Sequence, residues 1–329
     1  MPVKIRSCGG RVAGRGDIAA GRRHIGVMPR TALTAPHLTL ALLVMAVWGT
    51  NFVVIKLALA HLPPLTFAAL RFTFAVVPAI AFIKRPAAPW RTLAAYGVLI
   101  GVGQFGLLYI AMQGLISPGL ASLVVQTQAF FTIALSMAFT GERLRGFQIV
   151  AFALAAAGLG WLMVHAATVV GTEVTGLGLG LVLVAAMSWA LGNTVQRAAG
   201  PQDMLAFVVW SSLFAIPPLT ALALWFDGWP AIARGLTQAT AATWAAVLWQ
   251  SLGNTLFGYA AWGWLLSRYP AATVTPLSLL VPVFGMAGSA VFLGETLTAW
   301  KITAAALVLS GLALNTLWPR FARPAAPAG

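Results

Sequence analysis

From Leu38 onward the chain is written in apolar runs of about 20 residues separated by short polar connectors, the length a helix needs to cross the hydrocarbon of a bilayer. Ten such runs can be read, at 38–58, 65–83, 92–112, 118–139, 147–166, 175–196, 204–226, 241–265, 272–293 and 300–318. Backbone groups in lipid must find their hydrogen bonds within the chain, so runs of this length are helices; the short alternating strands of a membrane barrel are absent from the pattern. Composition agrees. Only 8% of residues are charged, against roughly a quarter in a soluble domain, too few to cover a water-facing surface. The expectation is an all-α membrane protein of ten transmembrane helices with the lipid bilayer as its surroundings.

The net charge of +14 does not point to nucleic acid, because the cations sit in short clusters between apolar runs, where they act as orientation signals. One side receives the N-terminal tail, Lys84, Arg85, Arg91, Arg143, Arg145, Arg197, Arg268, Arg320 and Arg323; the other receives Lys56, Arg234 and Lys301. The cation-rich side is cytoplasmic, and ten spans then leave both termini there. Residues 1–37 read as a basic tail without the apolar core of a signal peptide, unpacked by composition, and residues 319–329 as a C-terminal tail. The single cysteine, Cys8, excludes an internal disulfide, and the four scattered histidines have no metal-binding spacing, so neither metal nor cofactor is expected.

The chain repeats itself. Gly141-Glu142-Arg143-Leu144 returns 153 residues later as Gly294-Glu295-Thr296-Leu297, and Gly158 returns at the same offset as Gly311. Trp48 and Lys56 near the first span echo Trp189 and Arg197 near the sixth. The repeats cover 38–166 and 175–318. Five spans per repeat is an odd number, so the second repeat is inverted relative to the first. The loss of cations beside Gly294, where Thr296 and Thr298 stand in place of Arg143 and Arg145, fits that inversion. Inverted repeats are a common scaffold of alternating-access transporters, with the substrate near midplane.

The segments Trp48 to Lys56, Leu70-Arg71-Phe72, Pro118 to Thr132, Ala272 to Val283 and the two Gly-Glu tetrads resemble the EamA family of the drug/metabolite transporter superfamily, and are most similar to its exporters of O-acetylserine and cysteine. The resemblance covers roughly 38–318. It implies a ten-span exporter in a bacterial inner membrane, with a central cavity lined by the first, third, fourth, sixth, eighth and ninth spans and a small metabolite as its partner.

Polar residues within the runs are the candidate site, since they are costly in lipid and face a wet cavity or another helix. They are Asn51, Gln104, Ser122, Gln126, Gln128, Asn193, Gln250, Asn254, Tyr259 and Ser278. Ser122 with Gln126, and Gln250 with Asn254, are four apart and share a helix face. Two readings stand side by side: a neutral hydrogen-bonding cavity, or interhelical bonds between packed spans. Pro276 and Pro282 each remove an intrahelical bond and free a carbonyl, either for a substrate ammonium at a gate or in an ordinary kink. Ser117 is placed to cap the fourth span. Small residues crowd the fifth and tenth spans, for packing within the chain or for a homodimer face. Among charged groups, Lys56 either snorkels to the interface or draws a substrate carboxylate. Arg71 lies about six residues, roughly 9 Å, into the second span. Glu295 is the expected partner of Lys56 or Arg71 in an outer latch, mirrored by Glu142 within. An intramembrane enzyme would need paired carboxylates, a metal set or an activated nucleophile at depth, and the sequence offers none; a passive channel remains the other reading.

Overall fold

A computed structural model describes residues 33–140, 145–168 and 173–321. The basic tail up to residue 32, the loop holding Glu142 and Arg143, and the end from residue 322 lie outside the described residues. Within them the chain is helical, its only extended pairing an isolated bridge between Ile116 and Val174.

The helices are α1 (Ala35–Ala58), α2 (Pro64–Ala79), α3 (Trp90–Met112), α4 (Pro118–Ala138), α5 (Gly146–Thr168), α6 (Gly176–Ala198), α7 (Met204–Asp227) and α8 (Trp229–Gln238). Then come α9, built from Ala241–Leu248, Trp249–Phe257 and Gly258–Arg268, α10 (Thr275–Leu293) and α11 (Ala299–Phe321). Eight of these, all but α2, α8 and α9, are long and apolar enough to cross a membrane. At 16 residues α2 spans only about 24 Å at 1.5 Å per residue.

Local sequence explains where the helices begin and end. Pro64 and Pro118 open α2 and α4 at positions whose N–H is spare. Thr175 caps α6 by accepting from the Gly178 amide at 3.0 Å, and Asp203 caps α7 through the Ala206 amide at 2.7 Å. Asp227, at the far end of α7, accepts from the backbone and hydroxyl of Thr66, both at 3.1 Å, so one helix end caps the start of α2. Gly294, with φ of 70°, turns the chain out of α10. The cap expected from Ser117 is a correction: it stands at the N-cap of α4, but its side chain makes no capping bond there.

Helix α1 packs on α9 and α10, α10 on α4, α4 on α6, and α6 on α3; α3 and α9 both meet α2, which closes a ring. Helix α7 lies against α2 and α3. Close approach is built from small residues at α1, α4 and α10: a side chain on Gly49 would collide with Phe284 and Val281, and one on Gly285 with Ser122.

The remaining pair, α5 and α11, is in extensive contact along its length. A methyl group on Gly158 would lie 2.7 Å from Val308 and 3.1 Å from the Ala304 carbonyl; one on Gly311 would lie 2.5 Å from the Ala151 carbonyl and 3.2 Å from the Ala155 amide. At the offset of 153 residues these are one contact met twice. Phe147 stacks on Trp318 at 6.3 Å between centroids and His165 on Trp300 at 5.0 Å, again the same pair in both directions. Early residues of one helix meet late residues of the other, so the pair is antiparallel. The small-residue faces thus serve contact within the chain at Ala151, Ala155, Gly158, Ala304 and Gly311, while Ala153, Ala156, Ala157 and Gly160 are on the exposed side.

Departures from α-helix recur as well. Leu99–Gly106 of α3 and Trp249–Phe257 of α9 are π-helical, and Val125–Thr127 of α4 and Thr275–Leu279 of α10 are 3-10 helical. These irregular turns fall where the expected polar residues lie. Such turns re-aim side chains and leave backbone groups for other partners, and π-turns are frequent at functional sites.

Candidate functional site

The buried polar residues fall into two groups. The first gathers where α2, α3 and α9 meet. Arg71 is 1% exposed. Its Nη1 donates to the Tyr109 hydroxyl at 2.9 Å and its Nη2 to the Thr255 hydroxyl at 3.2 Å. Its guanidinium lies 3.6 Å from the centroid of the Phe105 ring and 5.3 Å from that of Phe72, a cation–π arrangement. The Tyr109 hydroxyl passes the chain on to Gln250 Oε1 at 3.4 Å, and the Gln250 amide reaches the Asn51 carbonyl at 3.5 Å. The π-turn of α9 makes this possible, for it lets the Thr255 hydroxyl donate to the Gln250 carbonyl five residues back at 2.9 Å. Trp48 closes the α1 side, donating to the Asn254 carbonyl at 3.1 Å with its ring against Tyr259 and Trp262. Asn51 Oδ1, Gln104 Oε1 and Arg71 Nε are buried and have no hydrogen-bond partner among the described residues.

The second group crosses from α4 to α6 and α10. The Gln126 amide donates to the Ser278 carbonyl at 3.2 Å, and the Asn193 amide to Gln128 Oε1 at 3.0 Å. Ser278 lies four residues before Pro282. Proline has no N–H to return to that carbonyl, so the acceptor freed by Pro282 is met by Gln126. Pro276 falls within the 3-10 turn of α10. The Ser122 hydroxyl bonds its own helix at the Gly119 carbonyl, at 2.7 Å.

The two ends of α4 and α10 differ. Residues 118–127 of α4 are all buried, and the matching part of α10 packs on α1 through Gly49 and Gly285. Beyond them, residues 131–137 of α4 and 275–280 of α10 are half-buried on every side.

The tight end is held by charge. Lys301 of α11 is 2% exposed and pairs with Glu173 at 2.6 Å and with Glu295 at 3.9 Å. Glu295 Oε1 also accepts from the Gly119 amide at 3.2 Å, at the start of α4. Burial raises the Glu295 carboxyl above its ordinary range, and the neighbouring Glu173 adds to this; the Gly119 amide and Lys301 oppose it. This corrects the expected outer latch. The cation beside Glu295 is Lys301, whereas Lys56 is exposed near the end of α1 and Arg71 sits in the α2–α3–α9 cluster. Lys301 was read from sequence only as an orientation charge. Its signal was its position six residues after Glu295, within the first turns of a helix whose start the repeat had already marked.

The family model for EamA-like transporters matches residues 36–164 and again 176–317, once on each repeat. The chain belongs to the EamA-like transporter family. Among its relatives are proteins of Salmonella typhimurium and Escherichia coli, each described as "Probable amino-acid metabolite efflux pump". The first is 43% identical, over 88% of this chain and 98% of its own length; the second is 41% identical, over 86% and 95%. A transporter of Bacillus subtilis, YoaV, is 27% identical over 82% of this chain. A solved crystal structure superposes with a TM-score of 0.59 over 88% of this chain and 99% of its own, at 18% identity, and shares the fold. Both copies of the EamA-like domain end in the α5–α11 pair, and the buried polar groups lie where helices of the two copies meet.

Proposed function

We propose that this transporter exports small amino-acid metabolites, such as cysteine and O-acetylserine, across a bacterial inner membrane by alternating access. In this reading α1 to α7, α9, α10 and α11 are ten spans in two inverted five-helix repeats, with both termini cytoplasmic. The reciprocal antiparallel contact of α5 with α11 supports the inversion, because a two-fold axis that relates antiparallel spans lies in the plane of the membrane. Asn51, Gln104, Gln126, Gln128, Asn193, Gln250, Asn254, Tyr259 and Ser278 then line or brace the path. Unmet acceptors at Asn51 and Gln104 suit an ammonium group.

The observation that carries the proposal is the unequal closure of α4 and α10. Their Glu295 end is sealed by packing and by an ion cluster, and their other end is loose. Arg145 follows the loose end of α4 and Arg268 precedes that of α10, and with the cation-rich side taken as cytoplasmic this is an inward-facing arrangement. Purified protein in vesicles decides it. Labelled O-acetylserine should exchange against unlabelled substrate, and a thiol reagent added from outside should leave a cysteine placed at Ser289 unmodified until substrate is added. Flux that rises linearly with concentration, with no exchange, would indicate a channel and end the alternating-access reading.

A further inference from the structure

Among the described residues two cations are buried, Arg71 and Lys301, and one of them has a counter-charge. Lys301 meets two carboxylates. Arg71 meets none among the described residues: Glu173 and Glu295 are with Lys301, Asp203 caps α7 and Asp227 caps α2. A guanidinium does not discharge by losing its proton. Phe105, Tyr109 and Thr255 lower the cost of its burial without supplying an anion. Its Nε is left without a partner. Beside it is a mostly apolar cavity of about 10 Å³, lined by Arg71, Phe72, Ile100, Phe105, Val208 and Tyr259 among others, room for about one water.

We infer that Arg71 is the subsite for the carboxylate of the exported metabolite. Nε and one Nη form the edge that grips a carboxylate through two parallel bonds. The cavity is too small for a carboxylate in the present arrangement, so the subsite fills as α9 draws away from α2 and the Thr255 bond to Arg71 is exchanged for the ligand. This deepens the function proposed above and rests on it for the identity of the ligand, though not for the chemistry of the site.

Thermal unfolding of the purified protein tests it without transport. L-cysteine and O-acetyl-L-serine should raise the midpoint, and their methyl esters at equal concentration should not. Arg71→Met should weaken binding of the acids on the order of tenfold or more, the value of a charge-assisted bond, and abolish the difference between acid and ester; Arg71→Lys should keep part of it. Esters that stabilise as well as acids, or a preference for acids that survives in Arg71→Met, would overturn the subsite. A shift given equally by chloride would overturn it too, by assigning the guanidinium an inorganic anion. If acetate or lactate stabilises through Arg71 while the amino acids do not, the carboxylate subsite stands and the amino-acid reading fails. Should Arg71→Met not fold, the acid–ester comparison on the unaltered protein and on Arg71→Lys still decides.

Discussion

Arg71 and Lys301 are equally hidden, and their surroundings are opposite. Around Lys301 the chain has assembled more negative charge than one lysine can neutralise. Around Arg71 it has assembled aromatic faces and hydroxyls and withheld carboxylates. A buried ion pair loses most when one member is removed, because the other is stranded; a buried charge that was never paired strands nothing when it goes. The difference separates a cation that fastens the fold from one held ready for something that arrives.

The largest effect should come from Lys301→Met. It strands the largely buried Glu295 beside the exposed Glu173 and should cost about 3 kcal/mol, measured by denaturation in detergent; adding Glu295→Gln should recover most of the loss. Gln126→Leu comes next. It removes the Gln126 bond to the Ser278 carbonyl, which the Leu280 amide also approaches, for a loss of about 0.5–1.5 kcal/mol, together with impaired export in vesicles. The pH dependence at Glu295 is smaller. Its carboxyl titrates above the ordinary range, so between the unfolded and folded values the native protein holds the extra proton, and stability falls as pH rises through that window. Glu295→Gln should flatten the midpoint-versus-pH curve there; an unchanged curve would assign the effect elsewhere. Arg71→Met should stay within about 1 kcal/mol of the parent, as lost bonds to Tyr109 and Thr255 are offset by the desolvation no longer required, yet export of carboxylates should fail. Exposed Lys56→Gln should move stability by no more than about 0.5 kcal/mol. If Arg71→Met proves as costly as Lys301→Met, the two cations do not differ in kind.

The membrane character and the repeat were legible in the chain because both are written in period and length. Apolar runs announce helices whatever they touch, and the Gly-Glu tetrads fix equivalent loops. The two expected spans that fall short in length or apolarity are those where polarity serves the interior: α2 is short and carries Arg71, and α9 carries Gln250, Ser251, Asn254 and Thr255 within its π-turn. Partners were harder. The sequence reading offers Glu295 only Lys56 or Arg71 as partner and misses Lys301, since that pairing depends on how α11 lies against α4. It offered cavity and interhelical bonding as alternatives for the amides. Gln126 with Ser278, and Asn193 with Gln128, bridge helices, which is the interhelical alternative. The π-turns have no sequence signature strong enough to have been read.

The contact between α5 and α11 also says something about how such a chain could arise. The same residues meet in opposite directions, so a chain of half this length would carry both sides of the contact on a single helix. In the inverted arrangement proposed above, two copies form the pair with one inserted each way, which demands a half-chain whose orientation signals are nearly balanced. Joining two copies end to end lifts that demand, since each half then needs to insert in one direction only. Arg143 and Arg145 in the first loop, against Thr296 and Thr298 in the second, are the divergence that such a fusion permits.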